Sequence, residues 1–348
     1  MILKYPIIYT ILMEEIKISD FYANRNKKLN DELNEEDRLI LGKYRKINVD
    51  LVQFNQNIIF ENIASITDEL IFCDYSEFNK PVDFLPKNLK TIVFGLYFNQ
   101  PVNNLPQSIT HLTFSDYFNQ PVNNLPPGLI NLSFGEDFNQ TVNFLPGQLE
   151  SLKFNLEFNQ PVCCLPKGLK ILEFGEKFNQ PIDNLPPELT HLTLGHNFNQ
   201  NINNLPSSLT YIILGNNFNQ PIDNLPPCLI ELKFGSNFNQ SIGCDIESHD
   251  PKCSCPSRLP NGLKILIFGV FFNQKIDKLP HGLTHLTLGS SFEQSIDNLP
   301  DSITYLNMEE CIFFTNPITK LPLNLQPENF KINANLPEIN ILFYERNS

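Results

Sequence analysis

Residues 189–206 read LTHLTLGHNFNQNINNLP, and this stretch decides the fold. It opens with three leucines in the pattern L-x-x-L-x-L. Alternate residues of a strand point to opposite faces, so Leu192 and Leu194 share one face while His191 and Thr193 share the other. The stretch therefore predicts a short, half-buried strand followed by a turn.

The same unit recurs at a fixed interval of 20 residues along most of the chain. The regular copies carry the phenylalanines Phe78, Phe98, Phe118, Phe138, Phe158, Phe178, Phe198, Phe218 and Phe238. Less regular copies carry Phe54, Phe272, Phe292 and Phe314. A fixed period of this length is the signature of a solenoid, in which each unit stacks only on its neighbours.

The return path of each unit is too short for a helix. Only a few residues separate Ile202 from Leu209, and Pro206 between them would break a helix. Each coil therefore carries one strand and returns through extended or polyproline-like chain, with successive strands parallel and about 4.8 Å apart. The pattern predicts an all-β-type solenoid with one short parallel strand per 20-residue repeat.

Stacked coils place identical residues above one another. The phenylalanines can pack in offset contact, because aromatic pairs favour centroid separations of about 4.5–7 Å. The asparagine that follows each of them would be costly to bury alone, so its amide is predicted to bond the backbone of its own turn and of the next. We interpret the repeated Phe, Asn, Leu and Pro as structural residues.

The run FNQPIDNLPP, at 178–187 and again at 218–227, resembles the FNIP repeat. This repeat is a short relative of the leucine-rich repeat, found in amoebae and in giant viruses that infect them. The segment L-P-x-x-L-x-x-L-x-L is also similar to short repeats of bacterial effectors. The resemblance covers about residues 51–322. It implies a leucine-rich-repeat-like right-handed coil with an extended convex side.

The chain departs from ordinary leucine-rich repeats in one respect. Their ladder asparagine falls three residues after the third leucine, where this chain has Tyr97, Asp137, Lys177 or Asn197. The recurring asparagine falls two residues later, so its role is inferred from stacking alone.

We divide the chain into three parts. They are an N-terminal cap or diverged adaptor segment at 1–50, the repeat solenoid at 51–322 with an insertion at 243–258, and a C-terminal cap at 323–348. In the N-terminal segment, Lys28–Ile47 is predicted to form one or two charged helices. Their apolar contact is predicted to be made by Leu39, Ile40 and Leu41. In the C-terminal cap, the apolar run INILFYE is predicted to cover the final strand. Solenoids need such caps because an exposed terminal strand invites pairing.

The resemblance also raises an alternative for residues 1–50. FNIP proteins often carry an F-box, the helical module that docks on a ubiquitin ligase, ahead of their repeats. That module opens with a Leu-Pro pair and carries a tryptophan, and neither occurs in 1–50. The alternative function is the substrate-recognition subunit of a ubiquitin-ligase adaptor with a diverged F-box.

The insertion carries candidate metal ligands in the pattern C-x4-H-x3-C-x-C. They are Cys244, His249, Cys253 and Cys255. Four such ligands can wrap a tetrahedral zinc ion. The C-x-C spacing is not the common one, and the alternative is a plain exposed loop. Zinc is the only cofactor that the sequence suggests.

Composition excludes several classes of function. The formal net charge is −13 with no basic stripe, which argues against binding nucleic acid or anionic membranes. The chain has no apolar run of membrane-spanning length. The chain has eight cysteines and no convincing export signal, so we interpret the cysteines as reduced thiols. We expect a monomer in the cytoplasm, or in the host cytoplasm if the chain is viral.

The sequence contains no phosphate-binding loop, nucleophile elbow or HExxH motif. His111, His191 and His285 fall on corresponding strand positions four coils apart, about 19 Å along the stack. They cannot share an ion or a substrate, and we expect no enzyme.

The scaffold is constant while the outward strand positions vary, which is typical of a recognition surface. We therefore predict a protein-interaction scaffold that binds a partner, of unknown identity, on the parallel strand face. The predicted partner-binding residues are Tyr211, Ile213, Glu231, Lys233, Ile265 and Ile267. Interface energy concentrates in such aromatic and apolar anchors. The alternatives are that β-branched residues merely suit strands, or that the array is purely structural.

Overall fold

The structure, a computed structural model, describes residues 13–27, 33–50, 53, 66–243 and 258–333. The chain divides into two compact units. The first is Met1–Gln140 with Phe144–Leu149, and the second is Thr141–Asn143 with Glu150–Ser348.

The described part of the first unit is a parallel sheet with two short helices near its start. Its strands are β1 (Met13–Lys17), β2 (Tyr44–Val49), β3 (Glu69–Phe72), β4 (Thr91–Val93), β5 (His111–Thr113) and β6 (Asn131–Ser133). Its helices are α1 (Ile18–Asn24) and α2 (Glu35–Leu41). Each strand pairs in parallel with the next one along the chain.

The described part of the second unit repeats the same arrangement. Its strands are β7 (Ser151–Lys153), β8 (Ile171–Glu173), β9 (His191–Thr193), β10 (Tyr211–Ile213), β11 (Glu231–Lys233), β12 (Ile265–Ile267), β13 (His285–Thr287), β14 (Tyr305–Met308) and β15 (Phe330–Ile332). A single 3-10 turn at Pro327–Asn329 precedes the last of them. The strands pair in parallel in chain order, and the insertion leaves Glu231 paired with Ile265.

Every regular coil buries the same set of apolar side chains. In one coil these are Leu189, Leu192, Leu194, Phe198 and Ile202, each at most 2% exposed. The rest of the coil is turns and extended chain, as the spacing predicted. The prediction of a solenoid with one short parallel strand per repeat is confirmed.

The phenylalanine column is interior. The ring of Phe198 is fully buried, and its centroid lies 6.2 Å from that of Phe178 and 6.2 Å from that of Phe218. A second phenylalanine directly follows many of the strands and packs on the first within its own coil. The centroids of Phe174 and Phe178, for example, are 3.7 Å apart. The two columns together form a continuous aromatic core in much of each unit.

An asparagine–glutamine ladder runs beside the phenylalanines. Asn179 Oδ1 accepts the backbone N–H of Asn199 at 3.0 Å and the side-chain Nε2–H of Gln200 at 3.1 Å. The bond from the asparagine to the next coil was predicted from stacking, whereas the part played by glutamine was not. Within each unit, the ladder adds two hydrogen bonds outside the sheet between successive regular coils.

Close approach of successive coils favours glycine two residues after many of the strands. A Cβ atom built on Gly215 would lie 1.6 Å from the carbonyl oxygen of Gly195, and one built on Gly195 would lie 1.8 Å from that of Gly175. Neither glycine has a positive φ, so the constraint is space and not backbone conformation.

The N-terminal segment differs from its sequence prediction. Helix α2 ends at Leu41, and Tyr44–Val49 is a strand that pairs with β1 and β3. The helical interpretation of Lys28–Ile47 is therefore wrong from Tyr44 onward. The apolar contact predicted for this segment is also partly wrong. Leu41 is buried, but Leu39 is 51% exposed. Pairing with β3, which is distant in sequence, overrides the local helical pattern.

A buried carboxylate joins the two helices of this segment. Asp37 accepts the backbone N–H of Asn34, while its own N–H bonds the Asn34 side chain in a capping box. Its oxygens also lie 2.8 Å from Lys27 Nζ and 3.3 Å from Arg25 Nε. Burial by itself would raise the pKa of Asp37, but the hydrogen bonds and the charges of Lys27 and Arg25 outweigh burial, so the pKa is lowered.

The last residues before the C-terminal cap are fixed by one aspartate. Asp297 Oδ1 accepts the backbone N–H groups of Thr319 at 2.8 Å and Lys320 at 3.1 Å. Strand β15 then follows as the last described strand of the unit. The apolar run INILFYE lies outside the described residues.

Candidate protein-binding face

Each three-residue strand presents two side chains away from the core. In β10 the central residue, Ile212, is buried, and Tyr211 and Ile213 on either side are half-buried. The same alternation holds in β11 and β12. Two outward rows of side chains therefore run along the strand face of each unit.

Parallel register brings the predicted partner-binding residues together. Tyr211 pairs with Glu231, which pairs with Ile265, and this forms one row. The second row pairs residues 213, 233 and 267 in the same order, so a lysine lies between two isoleucines. We call these six residues, Tyr211, Ile213, Glu231, Lys233, Ile265 and Ile267, the patch. Lys233 is exposed and the other five are half-buried.

Neither charge of the patch forms an ion pair with any described residue, although such pairs occur nearby. On the preceding strands, for example, Lys153 Nζ lies 3.3 Å from Glu173 Oε2. Burial raises the pKa of the Tyr211 hydroxyl, and the negative charges of Glu231 and Glu173 raise it further. Tyr211 therefore stays a neutral hydrogen-bonding group at physiological pH.

A shallow cavity of about 470 Å³ opens at the carboxyl ends of these strands. Three members of the patch line it, namely Ile213, Lys233 and Ile267. Its other lining residues include Gly215, Gly235 and Gly269, and also Glu176 and His196. No pattern in the sequence had predicted this cavity. Glycine recurs two residues after many of the strands, and Gly215, Gly235 and Gly269 line the cavity, but their spacing alone does not indicate one.

The histidines of the strand face lie on separate strands. His111, His191 and His285 occupy β5, β9 and β13, and the Nδ1 atom of each lies 2.9 Å from the hydroxyl of the preceding threonine. The His191 ring also packs 5.5 Å from the ring of Tyr211. Among the described residues, no three His, Cys, Asp or Glu side chains are grouped so as to hold a metal ion.

Two further predictions concern the rest of the chain. The candidate zinc ligands Cys244, His249, Cys253 and Cys255 lie outside the described residues, so the zinc site stays a prediction. Within the ranges that the structure describes, no helix is long and apolar enough to cross a membrane.

Comparison with protein families identifies the repeat. The FNIP Repeat model matches residues 78–117, 98–125, 118–157, 158–197, 178–217, 198–236, 218–245 and 272–311. The chain is a FNIP-repeat protein. The matched ranges include the strands of both units that carry the regular repeat, and the patch up to Lys233 lies within them. No match was found among curated proteins.

Two solved structures resemble this FNIP-repeat chain. One is the giant-virus protein CroV588, described as a novel circular leucine-rich-repeat structure, with 39% identity and a TM-score of 0.73. That match covers 86% of this chain and 48% of CroV588, so the chain spans about half the length of that relative. The other is YopM from Yersinia enterocolitica, with 21% identity, a TM-score of 0.55, and coverage of 82% of this chain and 59% of YopM. At that identity YopM supports the leucine-rich-repeat-like fold alone.

Proposed function

We propose that this FNIP-repeat protein is a protein-interaction scaffold whose patch binds a partner protein. The observation that carries the proposal is the register of β10, β11 and β12, which sets four apolar side chains around a glutamate and a lysine that form no ion pair with a described residue. The leucine-rich-repeat-like fold is typical of such scaffolds. Two of its four apolar residues, Ile213 and Ile267, also line the cavity at the carboxyl ends of the strands, as does Lys233.

The chemistry of the patch defines the partner surface that would fit it. Tyr211 and the three isoleucines would anchor apolar side chains, because binding energy concentrates in a few such contacts that exclude water. Lys233 would face a carboxylate and Glu231 a cation, since neither is neutralised within the described chain. Charges of this kind chiefly set the rate of association and the choice of partner.

The test compares two double variants in binding to the same captured partner. A protein retained by the wild-type chain from host-cell extract is purified, and its affinity is measured for wild type, for Tyr211→Ala with Ile265→Ser, and for a control. The control changes His111→Ala with Thr113→Ala, at equivalent positions of the strand face in the first unit. Loss of two anchors should cost about 2 kcal/mol of binding or more, while the control binds normally.

All three proteins should melt at nearly the same temperature, because the changed side chains are not part of the core. Equal affinity of the patch variant and wild type would place the binding site elsewhere. A Lys233→Glu variant refines the proposal, since reversing this charge should slow association with a partner that presents a carboxylate.

The ubiquitin-ligase alternative gains no support from residues 13–27 and 33–50. These residues contribute strands β1 and β2 to the sheet of the repeats. Binding of the ligase's adaptor subunit to the full chain would support the ubiquitin-ligase alternative. We further propose that the chain has no catalytic activity, binds neither nucleic acid nor membrane, and acts as a monomer in the cytoplasm.

A further inference from the structure

Two adjacent cysteines occupy a turn position where most other regular coils carry Asp or Asn followed by Asn. Cys163 and Cys164 form the first turn of the return path, and both are exposed with free thiols. The preceding coil carries Asn143–Phe144 there, and the two following coils carry Asp183–Asn184 and Asn203–Asn204. There the Asn204 amide donates to Asp183 Oδ1 at 3.1 Å. The cysteines thus replace side chains that can bond from coil to coil, and stacking does not require them.

The two sulfur atoms point toward each other across the turn. Cys163 Sγ lies 3.4 Å from Cys164 Sγ. Thiolate bonds to a soft centre are about 2.3 Å long, and two such bonds at a right angle separate the sulfurs by about 3.3 Å. The pair therefore already has the separation that a chelated pyramidal centre requires.

We propose that Cys163 and Cys164 form a dithiol site that chelates monosubstituted trivalent arsenic. In the reaction, an R–As=O group and two thiols form two S–As bonds. The oxygen leaves as water with both thiol protons, and arsenic remains trivalent. The third bond of arsenic is already taken by the substituent R, so the site needs only two protein ligands.

The surroundings of the pair favour this ligand over a metal ion. Structural zinc takes four protein ligands. No group of three or more candidate metal ligands exists among the described residues. The hydrogen bond with Cys163, and then its charge, raise the pKa of the Cys164 thiol. The Cys164 thiol therefore keeps its proton at neutral pH, and this proton leaves with the arsenical oxygen as water.

The experiment titrates the reduced full-length chain with phenylarsine oxide and follows the adduct by intact mass. The background carries Cys244→Ser, Cys253→Ser and Cys255→Ser, because the insertion holds other closely spaced thiols. We expect a single adduct per chain, released by ethanedithiol but not by a monothiol. Cys163→Ser and Cys164→Ser should each weaken binding by about 100-fold or more, because the second S–As bond forms at a high effective concentration.

Cys228→Ser is the matched control, because Cys228 is also exposed and free but is not adjacent to a second cysteine. It should leave binding unchanged, and all variants should melt as the background does. The proposal is overturned if the background forms no adduct, or if Cys163→Ser retains the adduct with undiminished affinity. Neither result bears on the patch, which lies on the strand face.

Discussion

Asn199 and Asn219 join two successive coils through a bond outside the sheet: Asn199 Oδ1 accepts the backbone N–H of Asn219 at 2.9 Å. The same oxygen accepts Nε2–H of Gln220 at 3.1 Å. One carbonyl oxygen thus satisfies two donors of the following coil. Because the groups are partly buried, water cannot fully replace that acceptor if it is removed.

Asn199→Ala should therefore lower the free energy of unfolding by about 1–3 kcal/mol, the cost of leaving such donors unsatisfied. Asn184→Ala is the matched control, since Asn184 is exposed on a turn and has no hydrogen bond to a described residue. The measurement is a urea melt of each variant. Equal midpoints for the two variants would show that the ladder contributes nothing to stability.

Phe198→Ala should destabilise the chain more strongly. The ring is fully buried between two others, and truncation of a buried aromatic side chain costs about 3–5 kcal/mol. Phe144→Ala controls for loss of a phenylalanine as such, because Phe144 is 69% exposed. A thermal melt of Phe198→Ala that matches wild type would contradict the interior position of the column.

Gly215→Ala should destabilise the chain through a clash with the preceding coil. The added Cβ would meet the Gly195 carbonyl at 1.6 Å. Ser115 and Asn155 occupy equivalent positions in other coils, so we expect a cost of overpacking, about 1–3 kcal/mol, and not loss of the fold. Gly168→Ala provides the contrast.

No atom lies within 4 Å of a Cβ built on Gly168. Alanine there should leave stability unchanged or raise it by about 0.4–1 kcal/mol, by restricting the unfolded chain. If both alanine variants melt alike in urea, close approach of the coils is not what selects glycine.

Asp37 should make the N-terminal segment sensitive to acid. Its pKa is lower in the folded chain than the value of about 3.9 in an unfolded one. The stabilisation is therefore fully present above pH ~4 and is lost as pH falls through the folded-state pKa. Asp37→Asn should cost about 1–3 kcal/mol at neutral pH, and this cost should shrink toward zero in acid.

Glu36→Gln is the control for that experiment. Glu36 pairs with the same Arg25 at 3.2 Å, but its side chain is 66% exposed, and exposed pairs contribute little. Hydrogen exchange of the amides of α2 and β2, measured across pH, reports the local stability. A pH-independent difference between Asp37→Asn and wild type would rule out this role for the carboxylate.

The insertion should bind zinc if Cys244, His249, Cys253 and Cys255 act together. Metal analysis should then return about one zinc per chain, and a chelator should expose the insertion to protease. Cys253→Ser should abolish binding, whereas Cys228→Ser should not. A metal-free chain with freely alkylated cysteines and unchanged protease sensitivity would identify a simple loop.

The sequence by itself determined the repeating part of this protein. The strand at His191–Thr193, the buried Leu192 and the interior position of Phe198 all follow from alternation and from a fixed period. These are local properties, and stacking identical units converts each into a continuous column. The proximity of Tyr211 to Ile265 was predictable for the same reason, because parallel register preserves position within the repeat.

Only the tertiary structure decided the features that depend on contacts distant in sequence or on space. Tyr44–Val49 became a strand because β3 offers it a partner, although the preceding residues favour a helix. Asp37 is a buried carboxylate whose charge is compensated by Arg25 and Lys27, which lie outside its own helix. The cavity beside Ile213 depends on how the turns of successive coils are placed in space, and no pattern of hydrophobicity predicts that placement.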